Sequence, residues 1–183
     1  MNPAMMIQPA PRQLVVVIGP HAVTPGMQEL AARLAMQGPL RVLDGGNRFN
    51  VYPVAVNLRR RTTQLEESLA RITLARAFTC YQMHTLLCDT PAAPVPTLIL
   101  DLLSTFLDEN VRLEESRRLL EACLGEIRRL NEQAPVVVSI KPLLPISQER
   151  TPLLEMIEAA ATQVLAFEKP RPASAVALPL WES

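Results

Sequence analysis

Short runs of aliphatic and β-branched residues, each closed by a turn signal and followed by a helical stretch, recur along this chain and leave it few folds. The runs are LVVVI at Leu14–Ile18, LRVL at Leu40–Leu43, ITLAR at Ile72–Arg76, TLILD at Thr97–Asp101, VVVSI at Val136–Ile140 and QVLAF at Gln163–Phe167. Consecutive apolar residues, as in Leu98-Ile99-Leu100, belong to strands buried on both faces, the habit of parallel sheets. Between the runs, apolar residues return at helical spacing. The spacing predicts helices over Met27–Gln37, Val51–Arg61, Gln64–Ala70, Thr79–Cys88, Leu113–Glu132 and Thr151–Ala161. Thr79 is placed to cap its helix. Leu113, Leu120, Leu124, Ile127 and Leu130 form one stripe, with Glu114, Glu115, Arg117, Arg118, Arg128 and Arg129 on the other faces. Strand alternating with helix implies an α/β fold, a three-layer α/β/α sandwich around a mainly parallel sheet, joined by right-handed crossovers.

One core domain is expected over residues 14–168, preceded by an irregular lead-in (1–13) and followed by a proline-rich tail (169–183) ending in PLWES. The tail, with its lone Trp181, reads as a segment folded back over the sheet edge or docked on a partner. Hydrophobic residues make up 49% of the 183 but aromatics only 4%, so the core must be aliphatic. The 18 basic and 18 acidic side chains cancel, which removes any global electrostatic pull towards nucleic acid. No apolar run approaches the ~20 residues that a membrane helix needs. The N-terminal MNPAMMIQPAPRQ lacks the basic flank and long apolar stretch of a signal peptide, so a cytoplasmic location is expected. Cys80, Cys88 and Cys123 fit no zinc spacing and read as buried free thiols. His84 reads as a surface or boundary residue, His21 as a solvated loop histidine.

Asp101 ends an apolar strand, where open α/β sheets bind ligands. The surrounding segments resemble the RecA/RadA recombinase family. The resemblance lies chiefly in Ala75-Arg76-Ala77-Phe78 with Gln82-Met83, in LDGGNRF at Leu43–Phe49, and in Leu98–Phe106, which looks like a Walker B strand. It spans roughly Leu14 to Glu168 and implies a RecA-like core, a P-loop after the first strand, Asp101 as a magnesium-site residue and, if the sheet order is the family's, Asp44 close to it.

Measured against that pattern the chain departs at three places. The family's P-loop lysine falls on Met27 and its hydroxyl on Gln28, with only Gly26 retained, while Pro20 and Pro25 remove backbone donors from a loop that should offer them to phosphate. The family's catalytic glutamate falls on Gly46, which has no group to take a proton. The γ-phosphate-sensing pair falls at Ser139-Ile140-Lys141-Pro142, where Lys141 reads as a solvated strand end, the alternative being a phosphate contact. The resemblance therefore implies a pseudo-ATPase: a catalytically silent, recombinase-paralog-like module with no catalytic residue and no cofactor. Gly26, Asp44 and Asp101 would be a vestigial nucleotide site, and any ATP/Mg binding weak. Such a module would contact a protein partner or a second copy through RecA-like edges, in DNA recombination or repair. A divergent ATPase using Asp101 is one alternative; another is a nucleic-acid-binding accessory factor using Arg59, Arg60 and Arg61 on their helix. That basic cluster is small and the loop Pro142–Arg150 is short and weakly basic, so nucleic-acid affinity is expected to be low.

Overall fold

The computed structural model describes residues 7, 10 and 12–167. The tail from 169 with Trp181, and most of the lead-in, lie outside the described residues. Six strands, β1 (Leu14–Ile18), β2 (Leu40–Asp44), β3 (Ile72–Arg76), β4 (Thr97–Leu100), β5 (Val136–Ile140) and β6 (Gln163–Ala166), form one sheet in the order β3-β2-β4-β5-β1-β6. Every recorded pairing is parallel. The helices are α1 (Thr24–Gln37), α2 (Val51–Arg59), α3 (Leu65–Ala70), α4 (Cys80–Asp89), α5 (Leu113–Asn131) and α6 (Thr151–Ala160).

Because side chains alternate across a strand, the apolar runs feed two cores at once. Leu14 and Val16 of β1, Ile99 of β4, and Val136, Val138 and Ile140 of β5 join Met83, Leu120, Cys123, Ile127 and Ile157 from α4, α5 and α6. Val15, Val17, Leu98, Leu100 and Val137 turn the other way and join Met27, Leu30, Val54 and Leu58 from α1 and α2, with Leu65 and Leu69 of α3 partly buried against them. The result is the expected three-layer α/β/α arrangement. Helix α5 presents the expected stripe, with Leu120, Leu124, Ile127 and Leu130 buried and Arg118 and Arg129 paired to Glu115 and Glu126 one turn earlier. Among the described residues no helix is long and apolar enough to cross a membrane.

The element ends show where local chemistry decided. Asn50 caps α2 by accepting from the Tyr52 N–H, and Thr79 caps α4 by accepting from the Gln82 N–H, as expected for the latter. Helix α1 begins three residues before the expected Met27, at Thr24. Pro25 had suggested a loop, but proline is at home in a helix's first turn, where its missing N–H would have no partner anyway. Helix α2 ends at Arg59 rather than Arg61, so Arg59, Arg60 and Arg61 do not share a helix face. Arg61 pairs with Glu29 of α1. All three are exposed, Arg59 on the last turn of α2 and the other two beyond it.

Of the cysteines, Cys80 and Cys123 are buried as expected, but Cys88 is exposed, on the outer side of α4 with its sulfur 3.6 Å from His84 Nε2. Burial pushes the Cys80 thiol up and the Cys123 thiol up to about 12. In the native protein a thiol-specific reagent such as DTNB should therefore label Cys88 alone. Raising the pH through the ordinary thiol range should leave Cys123 protonated and unlabelled until the chain unfolds. Release of more than one equivalent from folded protein would contradict this packing.

Candidate functional site

All six strands point the same way, so their C-terminal ends share one edge of the sheet. Adjacent pairs that send their following helices to opposite faces there include β2 and β4, followed by α2 and α5, and β5 and β1, followed by α6 and α1. Chains diverging this way open a crevice between the two strand ends. The predicted site residues Asp44 and Asp101 lie at the first of these points, and Lys141 joins the first to the second.

Asp101 is 1% exposed and leaves β4 in the left-handed conformation, φ 51° and ψ 47°, which aspartate tolerates better than most residues. Its backbone N–H donates to the buried Ser139 Oγ of β5 at 3.1 Å. Its carboxylate oxygens are buried and accept no hydrogen bond of good geometry; their compensation is ionic. Lys141 Nζ, just past β5, stands 3.0 Å from Oδ2, and Arg48 Nε stands 3.5 Å from the same oxygen. Lys141 is thus not the solvated strand end its position suggested. Its ammonium reaches back to a carboxylate that would otherwise be a buried, uncompensated charge.

Asp44 is fully buried and holds its own loop. Its oxygens accept from the backbone N–H groups of Arg48 at 3.1 Å and Phe49 at 2.9 Å, and from Arg76 Nε at 3.4 Å. Arg76 Nη2 also donates to the Phe49 carbonyl at 3.1 Å. This brace aims Arg48 at Asp101. A carboxylate that accepts two backbone donors and one guanidinium has few lone pairs left for a metal. The turn between the two aspartates is packed tight: the Gly45 N–H donates to the Leu100 carbonyl at 2.8 Å, and a Cβ placed on Gly46 would lie 2.6 Å from both Cβ and Oδ2 of Asp101. Gly46 is therefore a glycine because Asp101 occupies the space that its side chain would need. Among the described residues no three His, Cys, Asp or Glu side chains converge to hold a metal ion.

The loop after β1 buries Ala22 and Val23 and leaves His21 exposed. His21, Ala22 and Val23 all adopt left-handed φ values of 53–54°, a run that costs about 1–2 kcal/mol per non-glycine residue. Burial of Ala22 and Val23 and the Ala22 N–H bond to the Gly19 carbonyl at 3.0 Å offset that cost. Val23 packs over Gly19, where a Cβ would meet it at 2.8 Å. Met27 is wholly buried in the core beneath α1, Gly26 is buried beside it, and Gln28 Nε2 donates weakly to the Arg48 carbonyl at 3.4 Å.

Beside this loop, at the β1–β5 divergence, lies an open cavity of about 610 Å³. Ile18, Ala166 and Phe167 line it from the ends of β1 and β6, Pro20 and His21 from the first loop, and Lys141, Pro142, Leu143 and Leu144 from the segment after β5. Its far wall, Leu107 and Ser147, is steadied by Arg150, a nearly buried side chain that donates to Ser116 Oγ at 2.7 Å and to the carbonyls of Asp108 at 3.0 Å and Val111 at 2.7 Å.

No protein-family model matches the chain, and no curated protein matches it. The site must be read from its own geometry. That geometry brings Asp44, Asp101 and Gly46 together, sets Gly26 apart under α1, and leaves Arg59, Arg60 and Arg61 outside the crevice. The sequence reading passed over Arg48 altogether, although its place four residues after Asp44, in a turn closed by Asp44, was the available signal.

Two substitutions test this account by chemical denaturation. Gly46→Ala should destabilise the fold by about 1–3 kcal/mol through overlap with Asp101. Gly125→Ala, in α5 with nothing within 4 Å of the new Cβ, should instead stabilise it by about 0.5–1 kcal/mol. Separately, Lys141→Met should cost about 1–3 kcal/mol, and adding Asp101→Asn should recover part of that loss, because the uncompensated charge is removed together with its partner.

Proposed function

We propose that this chain is a catalytically silent RecA/RadA-like core that works as a binding or regulatory module, through contact with a protein partner or another copy of itself. Recombination or repair is the setting that the resemblance implies. The observation that carries the reading is the state of Asp101. By resemblance this is the magnesium-site carboxylate, and here it is already neutralised by Lys141 at 3.0 Å and Arg48 at 3.5 Å. A divalent cation would have to displace an ammonium ion and approach a guanidinium. Met27 adds independent support, since the side chain at the phosphate-lysine position is apolar and fully buried. At the catalytic-glutamate position Gly46 has no room for a side chain of any kind. The residues present do not fit a magnesium–nucleotide complex, and no hydrolytic step follows from them.

The direct pairing of β2 with β4, which brings Asp44 and Asp101 to neighbouring strand ends, accords with the resemblance. For a contact role, the surface offers Tyr52, Phe78 and Tyr81, all at least half exposed and all in the segments that follow β2 and β3 at the open β3 edge. Solvent-facing aromatics of this kind are characteristic of protein interfaces.

ATP turnover and nucleotide-dependent thermal shift test the proposal. Turnover should equal the buffer background, and Mg–ATP should leave the melting temperature unchanged. A magnesium-dependent rise of several degrees that disappears in Asp101→Ala would overturn it.

A further inference from the structure

The cavity at the β1–β5 divergence has no part in the reading above, and its chemistry is different. Its volume, about 610 Å³, lies within the ~300–1,000 Å³ typical of small-ligand sites. It sits outside the carboxyl ends of parallel strands at a point where their connections separate, the position such sheets use for ligands. Its walls are chiefly apolar: Ile18 and Phe167 on one side, Leu143 and Leu144 on the other. Leu144 is 66% exposed, an aliphatic side chain left in water at the mouth of an aliphatic hollow.

The charge contributed by the described lining residues has one sign. No aspartate or glutamate is among its described lining residues, whereas Lys141 is. The Lys141 side chain is 32% exposed, its ammonium has three N–H donors, and Asp101 is its one recorded ionic partner. Asp101 also faces Arg48, so two cations share one carboxylate and this cluster of three keeps a surplus positive charge. Asp101 itself is 1% exposed and offers a ligand no surface. A cavity with an aliphatic body and one cationic group fits a molecule with the complementary halves.

We propose that this cavity binds a small amphipathic anion, its apolar body against Ile18, Leu143 and Phe167 and its carboxylate or sulfonate on Lys141. A fatty or aromatic acid has this chemistry; an amine of the same length does not, because its head group would meet Lys141 as a like charge. The site needs no nucleotide and stands or falls apart from the silent-core proposal, since binding here is independent of magnesium and ATP.

The test uses the full chain and the fluorescent sulfonate ANS (8-anilinonaphthalene-1-sulfonate). Folded protein, shown to be so by a cooperative thermal transition, should take up one ANS per chain, and decanoate should displace it while decylammonium does not. Lys141→Gln should weaken ANS binding about tenfold, the scale of one charge-assisted hydrogen bond. Leu144→Glu, at an exposed position where the fold is not at risk, should weaken it at least as much by setting a like charge at the mouth. Three results would each overturn the proposal: no saturable uptake by the full chain, whatever fills the cavity instead; equal displacement by decylammonium; or unchanged affinity in Leu144→Glu.

Discussion

The middle of this sheet is buried on both faces, and the arrangement of the rest follows from that burial. Strands β4, β5 and β1 have helices above and below, so neither face can carry a polar side chain without a partner. Ser139 is the test case. It sits inside β5 at full burial and is tolerated because its hydroxyl accepts the Asp101 N–H. At the strand ends the requirement changes character. Backbone leaves the ladder, charges appear, and each must find compensation within a few ångströms. Asp44 finds it in two backbone N–H groups and a guanidinium, Asp101 in an ammonium and a second guanidinium. The crevice edge is therefore an interlocked set of charge pairings, each of which fixes the loop that supplies the next.

That interlocking explains why two aspartates on adjacent strands serve such different ends. The Asp44 carboxylate is spent on geometry, closing the turn from which Arg48 projects. The Asp101 carboxylate receives Arg48 from one side and Lys141 from the other, tying the end of β4 to the loop after β2 and the segment after β5. Through Lys141 the same pairing sets one polar point on the wall of an otherwise aliphatic hollow. The electrostatics of the crevice and those of the cavity are two sides of a single side chain.

Much of the fold could be read from residue pattern. All six strands were expected within one residue of where they lie, because consecutive buried aliphatics leave little doubt about a doubly covered strand. The stripe of α5 was legible for the same reason. Boundaries set by single residues were harder: Pro25 serves equally well in a loop or in a helix's first turn, and nothing local ends α2 at the first arginine of the run rather than the last. Cys88 was read as buried with the other thiols, but on a helix covered on one side a shift of one position separates core from solvent. Of the site, Asp101 could be singled out because strand ends are recognisable, whereas Asp44 and Gly46 were pointed to by the resemblance. Their pairings could not, since Lys141 lies forty residues from Asp101 and Arg48 more than fifty, and only the strand order brings them together. The left-handed run His21–Val23 has little signal in sequence, for only His21 is of a type enriched in that conformation and Val23 is poorly suited to it.

Gly46 limits what can be changed at this crevice. A side chain there and the present Asp101 carboxylate claim the same volume, so the two positions are mutually exclusive as they stand. A mutation that placed an acidic group at 46 would find Asp101 in the way. It would first meet a folding penalty, and relief would require Asp101, with the Lys141 and Arg48 contacts that depend on it, to move beforehand. Each intermediate on that route exposes or orphans a charge. The contact couples the two positions, so a side chain at 46 can be accommodated only by a change at 101.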